Sequence, residues 1–382
     1  MKILITTDMY EPEINGVVTS VINLKNGLTQ LGHDVKILTL SQSIHTYTEE
    51  EVTKLGSLPF KIVYPGARVS VTPHKSVMAE LEEWKPDVIH SQCEFTTFIA
   101  ARKLSKSLNV PLIHTYHTVY EDYTHYFSLN KNFGRSAVHH FSKWISKKCD
   151  CIITPTEKVR RLLYSYNVKC PIEVVPTGIE TANFAKEISA EKKRELSEKL
   201  SIPEGKKIAL FVGRLAKEKN LSEILEHWKK IDLNRWLLLI AGGGPYKDEL
   251  IRQCHALGIE DSVLFAGMIP REEITGYYKL ADLFVSASTS ETQGLTYIEA
   301  LAGGVPLLCK KDDCLDGILE DGKNGFSFTN QEDFVNIMND ISNGKTDMAL
   351  LKENALSSSE KFDTSAFAKK VAAIYSKFSG CY

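Results

Sequence analysis

Ser290-Glu-Thr-Gln-Gly-Leu-Thr-Tyr-Ile-Glu-Ala-Leu301 decides how the rest of this chain is read. The run before it, Asp282-Leu-Phe-Val-Ser-Ala287, is short and apolar, as a buried strand is. A polar loop covers Ser288 to Gln293. Gly294 then opens a predicted helix, with Leu295, Ile298 and Leu301 or Ala302 at helical spacing. Glu291 lies in the loop and Glu299 in the helix, with seven residues between them. A helix N-terminus offers unpaired backbone N–H groups and about half a positive charge, so it attracts anions. Two carboxylates beside it are poorly suited to the anion itself. They suit hydroxyl groups attached to a phosphate, ribose on one side and a sugar on the other. On its own, a Glu at the position of Glu299 more often just solvates a surface helix, so the decision rests on the remainder of the chain.

Working outward, the same strand-then-helix unit recurs. In the second half, strands are predicted at Ile208–Gly213, Trp236–Ala241, Val263–Ala266 and Val305–Cys309 besides the one before Ser288. In the first half they are predicted at Lys2–Thr7, Val35–Leu40, Asp87–Ser91, Val110–Thr115, Cys151–Thr154 and Glu173–Val175. Strands separated by helix-length segments make parallel sheets covered on both faces. The fold class is α/β: two doubly wound Rossmann-like domains facing across a cleft. The expected division is 1–185, 186–363 and a last helix, 364–382, that returns to the first half. Ligands of such sheets sit at the carboxyl ends of the strands. The loop from Asp8 to Gly16 and the segment from His114 to Tyr126 occupy that position.

Several motifs fall at strand ends. Gly213-Arg-Leu-Ala-Lys-Glu-Lys-Asn220 carries Arg214, a planar fork of donors, and Lys219, a compact charge; the pair fits a diphosphate. The alternative is two solvated surface cations. Ala241-Gly-Gly-Gly-Pro-Tyr246 lacks dinucleotide-fingerprint spacing and reads as a plain turn. His117, just past a strand, can hydrogen-bond a sugar hydroxyl or serve the leaving group, or be structural. Tyr120, Glu121, Asp122, Tyr123, His125 and Tyr126 follow it, a mix of aromatic and acceptor groups suited to carbohydrate or headgroups. From Lys131 to Lys148 there are five cations and no acid, interleaved with Phe133, Phe141, Trp144 and Ile145. Arg135, Lys143, Lys147 and Lys148, with Phe141 and Trp144, give a basic amphipathic helix of the kind drawn to anionic membrane surfaces. A domain helix with its aromatic residues in the core has the same pattern.

Composition excludes other classes. The chain has 382 residues, 43% hydrophobic and 25% charged, with a net charge of −2, so nothing pulls it toward nucleic acid. No apolar run is long enough to span a bilayer. Met1 to Asp8 reads as a first strand, not a signal peptide. The eight cysteines form no Cys-x-x-Cys pair and predict a reduced, cytoplasmic setting. Asp312-Asp313 lacks companion ligands, and no metal site is expected.

These residues resemble the retaining family-4 glycosyltransferases of GT-B fold over nearly the whole chain. The likeness is strongest to the branch that builds bacterial glucosyldiacylglycerols from UDP-glucose. It is carried by Ile14-Asn-Gly-Val-Val-Thr-Ser20, His114-Thr-Tyr-His-Thr118 with Tyr120 to Tyr126, Val175-Pro-Thr-Gly178, Gly213-Arg214 with Lys217 to Asn220, and Ser286 to Glu299. The resemblance implies that Arg214 and Lys219 hold the donor diphosphate, Glu299 the ribose, and Glu291 the sugar hydroxyls. It implies backbone contacts to phosphate at Gly294, Leu295 and Thr296, a loop able to close at Gly16, a nucleobase near Met268, and His117 beside the transferred sugar. Tyr120 and Tyr123 would then face the lipid acceptor. Transfer with retention and without a metal or other cofactor is implied, at the inner face of the cell membrane. Cys309-Lys-Lys311 departs from the pattern where such enzymes often touch the donor sugar. That leaves glucose or galactose as donor sugar, and diacylglycerol, glucosyldiacylglycerol, phosphatidylinositol or a polysaccharide as acceptor. A nucleotide-sugar epimerase shares this architecture, and a non-catalytic lipid-surface module is a third reading. The oligomeric state has no signature.

Overall fold

The computed structural model describes residues 1–13, 15–60, 67–70, 74–121 and 131–380, the side chains of 131–133 excepted. Ile14, the tract 122–126 with Tyr123, Cys381, and the side chains of Lys131 and Phe133 lie outside the described residues.

In chain order the first part runs β1 (Lys2–Thr6), α1 (Gly16–Gln30), β2 (Asp34–Leu40), β3 (Tyr47–Glu49), β4 (Val52–Leu55), β5 (Leu58–Pro59), β6 (Arg68–Val69), α2 (Lys75–Trp84), β7 (Val88–Ser91), α3 (Thr96–Leu108), β8 (Leu112–Thr115), α4 (Lys131–Ser146), β9 (Cys151–Thr154), α5 (Glu157–Ser165) and β10 (Ile172–Val174). The second part runs α6 (Thr181–Ala185), α7 (Ala190–Lys199), β11 (Lys207–Val212), α8 (Leu221–Trp228), β12 (Trp236–Ala241), α9 (Lys247–Leu257), β13 (Val263–Gly267), α10 (Ile274–Leu280), β14 (Leu283–Ser286), α11 (Leu295–Ala302), β15 (Leu307–Lys310), β16 (Gly325–Phe328), α12 (Gln331–Ser342) and α13 (Met348–Ser359). Helix α14 (Thr364–Ser379) follows.

The chain forms two compact units, Met1–Ile179 with Asp363–Tyr382, and Glu180–Phe362. The division falls at 179/180, not 185/186, because α6 packs against α10 and α11 of the second unit. Helix α14 belongs to the first unit and lies on α1. Gly27 explains how closely: a Cβ there would stand 2.6 Å from the Ala368 Cβ and 3.0 Å from the Thr364 carbonyl oxygen.

The first sheet has the order β10-β9-β8-β7-β1-β2-β4-β3, parallel except for β3 against β4. Alternation along β1 sends Ile3 and Ile5 toward α1 and α14, where Val21, Leu24, Phe367 and Val371 are buried. Leu4 faces the other layer, with Leu81 of α2 and Phe98 of α3. The second sheet, β13-β12-β11-β14-β15-β16, is parallel throughout. Its Phe211, Leu238, Ile240 and Val285 are buried with α8, α9 and α12. Numbered within its own unit, this order is the doubly wound 3-2-1-4-5-6, which reverses between β11 and β14. The first sheet reverses in the same way between β1 and β7. Each unit thus has a switch point, where two neighbouring strands send their chains to opposite faces and leave a crevice at their carboxyl ends.

Candidate active site

At the second unit's switch point, the loop after β11 turns at Gly213 and ends in a 3-10 turn, Lys217–Lys219. The Leu215 N–H donates to the Gly243 carbonyl (2.9 Å) and the Tyr246 N–H to that of Leu215 (3.0 Å). A Cβ on Gly242 would stand 1.9 Å from the Gly213 oxygen, so the triple glycine serves backbone-on-backbone packing. Asn220, in the left-handed region (φ 53), sends its amide to the Ala287 carbonyl (3.4 Å). The Ser290 hydroxyl donates to the Glu218 carbonyl (3.1 Å). The loops after β11 and β14 are thereby tied together. Across them Lys219 Nζ stands 2.6 Å from Glu291 Oε1, both side chains about four-fifths buried. Arg214 is exposed, with no ion pair among the described residues.

Helix α11 starts at Leu295, one residue later than predicted, because Gly294 takes a left-handed conformation (φ 75) as its N-cap. Its first turn carries no acidic side chain. Tyr297, Ile298 and Leu301 are buried, with Tyr297 edge-on to Phe284 of β14, while Leu295 and Thr296 are half-buried. Glu299, in the second turn, accepts a hydrogen bond from the Tyr278 hydroxyl of α10 (2.7 Å). Burial holds its carboxyl above the usual range, opposed by that bond and by the Arg271 charge. The decorated-surface reading of Glu299 therefore fails: the side chain is half-buried and anchored. Met268 follows β13, two strands from β11; it is 73% exposed and borders an open pocket of about 480 Å³ with Ile269, Pro270 and Tyr277.

The first unit's switch point is built from other groups. Asp8, after β1, accepts from the N–H groups of Thr97 (2.8 Å) and Phe95 (3.2 Å), capping α3, whose own N-cap residue Phe95 has no acceptor. Burial nevertheless pushes the Asp8 carboxyl up to about 6. Glu94 is buried and accepts from the Tyr120 hydroxyl. His117, after β8, is half-buried, with Nε2 2.7 Å from Gln92 Oε1. Burial, with the neighbouring His114, lowers its pKa to about 3, so the ring is neutral at physiological pH. That favours hydrogen bonding to a hydroxyl over delivery of positive charge to a leaving group. Gly16 is the first residue of α1, whose N-cap Asn15 accepts from the Val18 N–H (3.0 Å).

Helix α4 and the turn after it combine both readings of their sequence. Val138, Ser142 and Ile145 are buried, while Trp144 is 42% exposed, Lys147 is exposed and Lys143 and Lys148 are half-buried. Phe141 stacks on Phe95 and meets Tyr120 edge-on. Arg135 does not stand as a separate cation: it lies 3.6 Å from Glu121, which also holds His139 (3.0 Å). In Cys309-Lys-Lys311, where the chain departs from the family pattern, the first two side chains have partners of their own. Cys309 is 1% exposed in the core, and Lys310 is bound to Glu223 at 2.7 Å. Gln92, Glu94 and Tyr278 escaped the sequence reading, and Asp8 entered it only as the first residue of a loop at a strand's carboxyl end. Position just past β7 was the signal available for Gln92 and Glu94.

Residues 192–357 match the family described as "Glycosyl transferases group 1", and residues 14–183 match "Glycosyltransferase Family 4". The alpha-monoglucosyldiacylglycerol synthase of Streptococcus pneumoniae is 37% identical over 339 residues, 88% of this chain and 77% of that protein. The enzyme of the same name from Acholeplasma laidlawii is 31% identical over 98% of this chain and 96% of its own. Among solved structures, Anabaena Alr3699/HepE in complex with UDP and glucose superposes with a TM-score of 0.77 at 17% identity, covering 99% of this chain and 100% of that one. Sucrose-phosphate synthase of Thermosynechococcus elongatus gives 0.75 at 18%, covering 100% of each. Repeated Rossmann-like units of this topology, matched across both halves and aligned over nearly the whole length with two named relatives, identify the chain: it belongs to the family-4 glycosyltransferases of GT-B fold.

Proposed function

We propose that the protein is a retaining glycosyltransferase that moves glucose from UDP-glucose to a diacylglycerol at an anionic membrane surface. The observation that carries the donor side is the pair of glutamates at one switch point, Glu291 against Lys219 and Glu299 held by Tyr278. In this reading Arg214, Lys219 and the backbone of Gly294, Leu295 and Thr296 take the diphosphate. Glu299 takes the ribose, Glu291 the sugar hydroxyls, and the backbone near Met268 the base. The names of the two relatives support the choice of acceptor.

The bond between the anomeric carbon and the diphosphate oxygen breaks as an acceptor hydroxyl approaches the same face. The new carbon–oxygen bond forms there, and the acceptor proton passes to the departing diphosphate. Lys219, Arg214 and the α11 amides stabilise the charge that grows on the leaving group, where such preorganised donors have most effect. No metal is assigned a role, and EDTA should leave the rate unchanged. His117 supplies a neutral hydrogen-bonding group for a sugar hydroxyl.

Membrane contact is assigned to α4 and the turn after it, through Trp144, Lys143, Lys147 and Lys148; contact with the acceptor is assigned to Tyr120 and to Tyr123, which lies outside the described residues. Among the described residues no helix is long and apolar enough to cross a membrane, so attachment at the inner face is peripheral in this reading. Changing the three lysines to Glu should abolish sedimentation with anionic vesicles at low salt, at about 1 kcal/mol or more per charge. The reaction is tested with UDP-glucose, UDP-galactose and GDP-mannose offered beside vesicles of diacylglycerol or glucosyldiacylglycerol. UDP-glucose with diacylglycerol should give an α-linked glycolipid. A β-linked product would overturn retention, and preference for another donor would overturn the sugar assignment.

A further inference from the structure

His117 is held from behind by groups that no sequence motif contains. Strand β7 continues as His90-Ser91-Gln92, and His90 and Gln92 are both buried, at 0% and 2% exposure. Tyr375, fully buried on α14, places its hydroxyl 2.6 Å from His90 Nδ1. Thr115 at the end of β8 places Oγ1 2.7 Å from His90 Nε2. The Gln92 amide nitrogen lies against this ring, 3.1 and 3.2 Å from its two nitrogens. The Gln92 amide oxygen, at the other end, lies 2.7 Å from His117 Nε2.

From this arrangement we propose that Gln92 is a positioning residue that fixes His117 in its Nε2–H tautomer and so presents Nδ1 as a hydrogen-bond acceptor to a substrate hydroxyl. A carbonyl oxygen can only accept, so the nitrogen facing it must carry the proton. A neutral imidazole has one N–H, which leaves Nδ1 with its lone pair. Among the described residues Nδ1 has no hydrogen-bonding partner. The ring neutrality produced by burial is what makes the choice of tautomer matter, because a charged ring would donate from both nitrogens. His90 bears on the amide's orientation in turn. With its two nitrogens engaged by Tyr375 and Thr115, the Gln92 NH2 group lies against the ring itself, where an N–H can face the π surface and a carbonyl oxygen would be repelled. The terminal helix α14, more than 280 residues further along the chain, thereby supports the orientation of His117.

The proposal deepens the functional reading and rests on it for the identity of the hydroxyl, a sugar hydroxyl of the donor. The test is long-range proton–nitrogen correlation NMR of histidine-labelled full-length protein, with the His117 signals identified by their loss in His117→Asn. The native protein should show the Nε2–H form, without titration, from pH 5 to 8. Gln92→Leu should lose the fixed tautomer and lower kcat by up to about tenfold, no more than the loss of His117 itself, with the KM for UDP-glucose nearly unchanged. Gln92→Glu restores an acceptor but adds a charge, so it should keep the tautomer and make the ring titrate between pH 5 and 8, with activity following. An Nδ1–H form in the native protein, or a Gln92→Leu protein with native tautomer and native kcat, overturns the proposal. A His117→Asn protein of full activity overturns the substrate contact instead, whatever the tautomer shows.

Discussion

The two switch points share a topology and differ in chemistry. At β11 and β14, cations and carboxylates meet: Lys219 is paired with Glu291, Arg214 is exposed, and Glu299 is anchored by one phenol. At β1 and β7, the groups are more deeply buried and the histidines are neutral, His117 against Gln92 and His90 between Tyr375 and Thr115. One of the two carboxyls there, Asp8, is pushed toward its neutral form by burial. Topology makes a crevice; the side chains entering it decide what it can hold. A diphosphate needs charge that is available on demand, and an ion pair of 2.6 Å is a store of such charge. Hydroxyl groups need fixed, neutral donors and acceptors, and a buried amide–imidazole contact provides them.

The contrast breaks most visibly at Lys219. Lys219→Ala should lower kcat by about 10²- to 10³-fold, as expected for one preorganised donor at a developing charge. His117→Ala should lose less, about tenfold, for one neutral hydrogen bond. Equal losses, measured by initial rates of lipid labelling, would erase the distinction between the two points.

The burial of Asp8 gives a pH test. Its folded pKa is about 6 against an ordinary 3.8, so between these values the folded protein binds more protons than the unfolded chain. Stability from this group is therefore greatest below about pH 4, falls as pH rises to 6, and is level above. The span is on the order of 3 kcal/mol. Asp8→Asn should gain stability relative to the native protein across that window, followed by thermal unfolding from pH 4 to 7. A constant difference would mean that Asp8 is ionised throughout.

Gly27→Ala should have a smaller effect, about 1–3 kcal/mol, because the new methyl must displace Ala368 or the α14 backbone. Urea unfolding should show the loss in the first unit and leave the second unchanged. A loss of only a few tenths of a kcal/mol would indicate that α14 shifts freely on α1.

The alternating strands were legible because both sheets are buried on two faces, so their strands are continuous apolar runs. Strands β3 to β6 were not, since Leu58–Pro59 and Arg68–Val69 are too short to show a period. Gly27 could not be explained from the sequence, because its reason lies on α14. Lys219 and Glu291 were each picked out by strand-end position; that they bind one another depends on two loops 72 residues apart. Tyr278 gave no signal and Gln92 only its place just past a strand, because their role depends on what they face.

The most direct test of the account is transfer itself. The full chain is incubated with UDP-[14C]glucose and vesicles containing diacylglycerol, beside a control without diacylglycerol. Label should appear in the chloroform extract only when diacylglycerol is present, and Lys219→Ala should nearly abolish it. Conversion of the donor in the control, or no lipid-soluble label with native protein, would contradict glycosyl transfer to diacylglycerol.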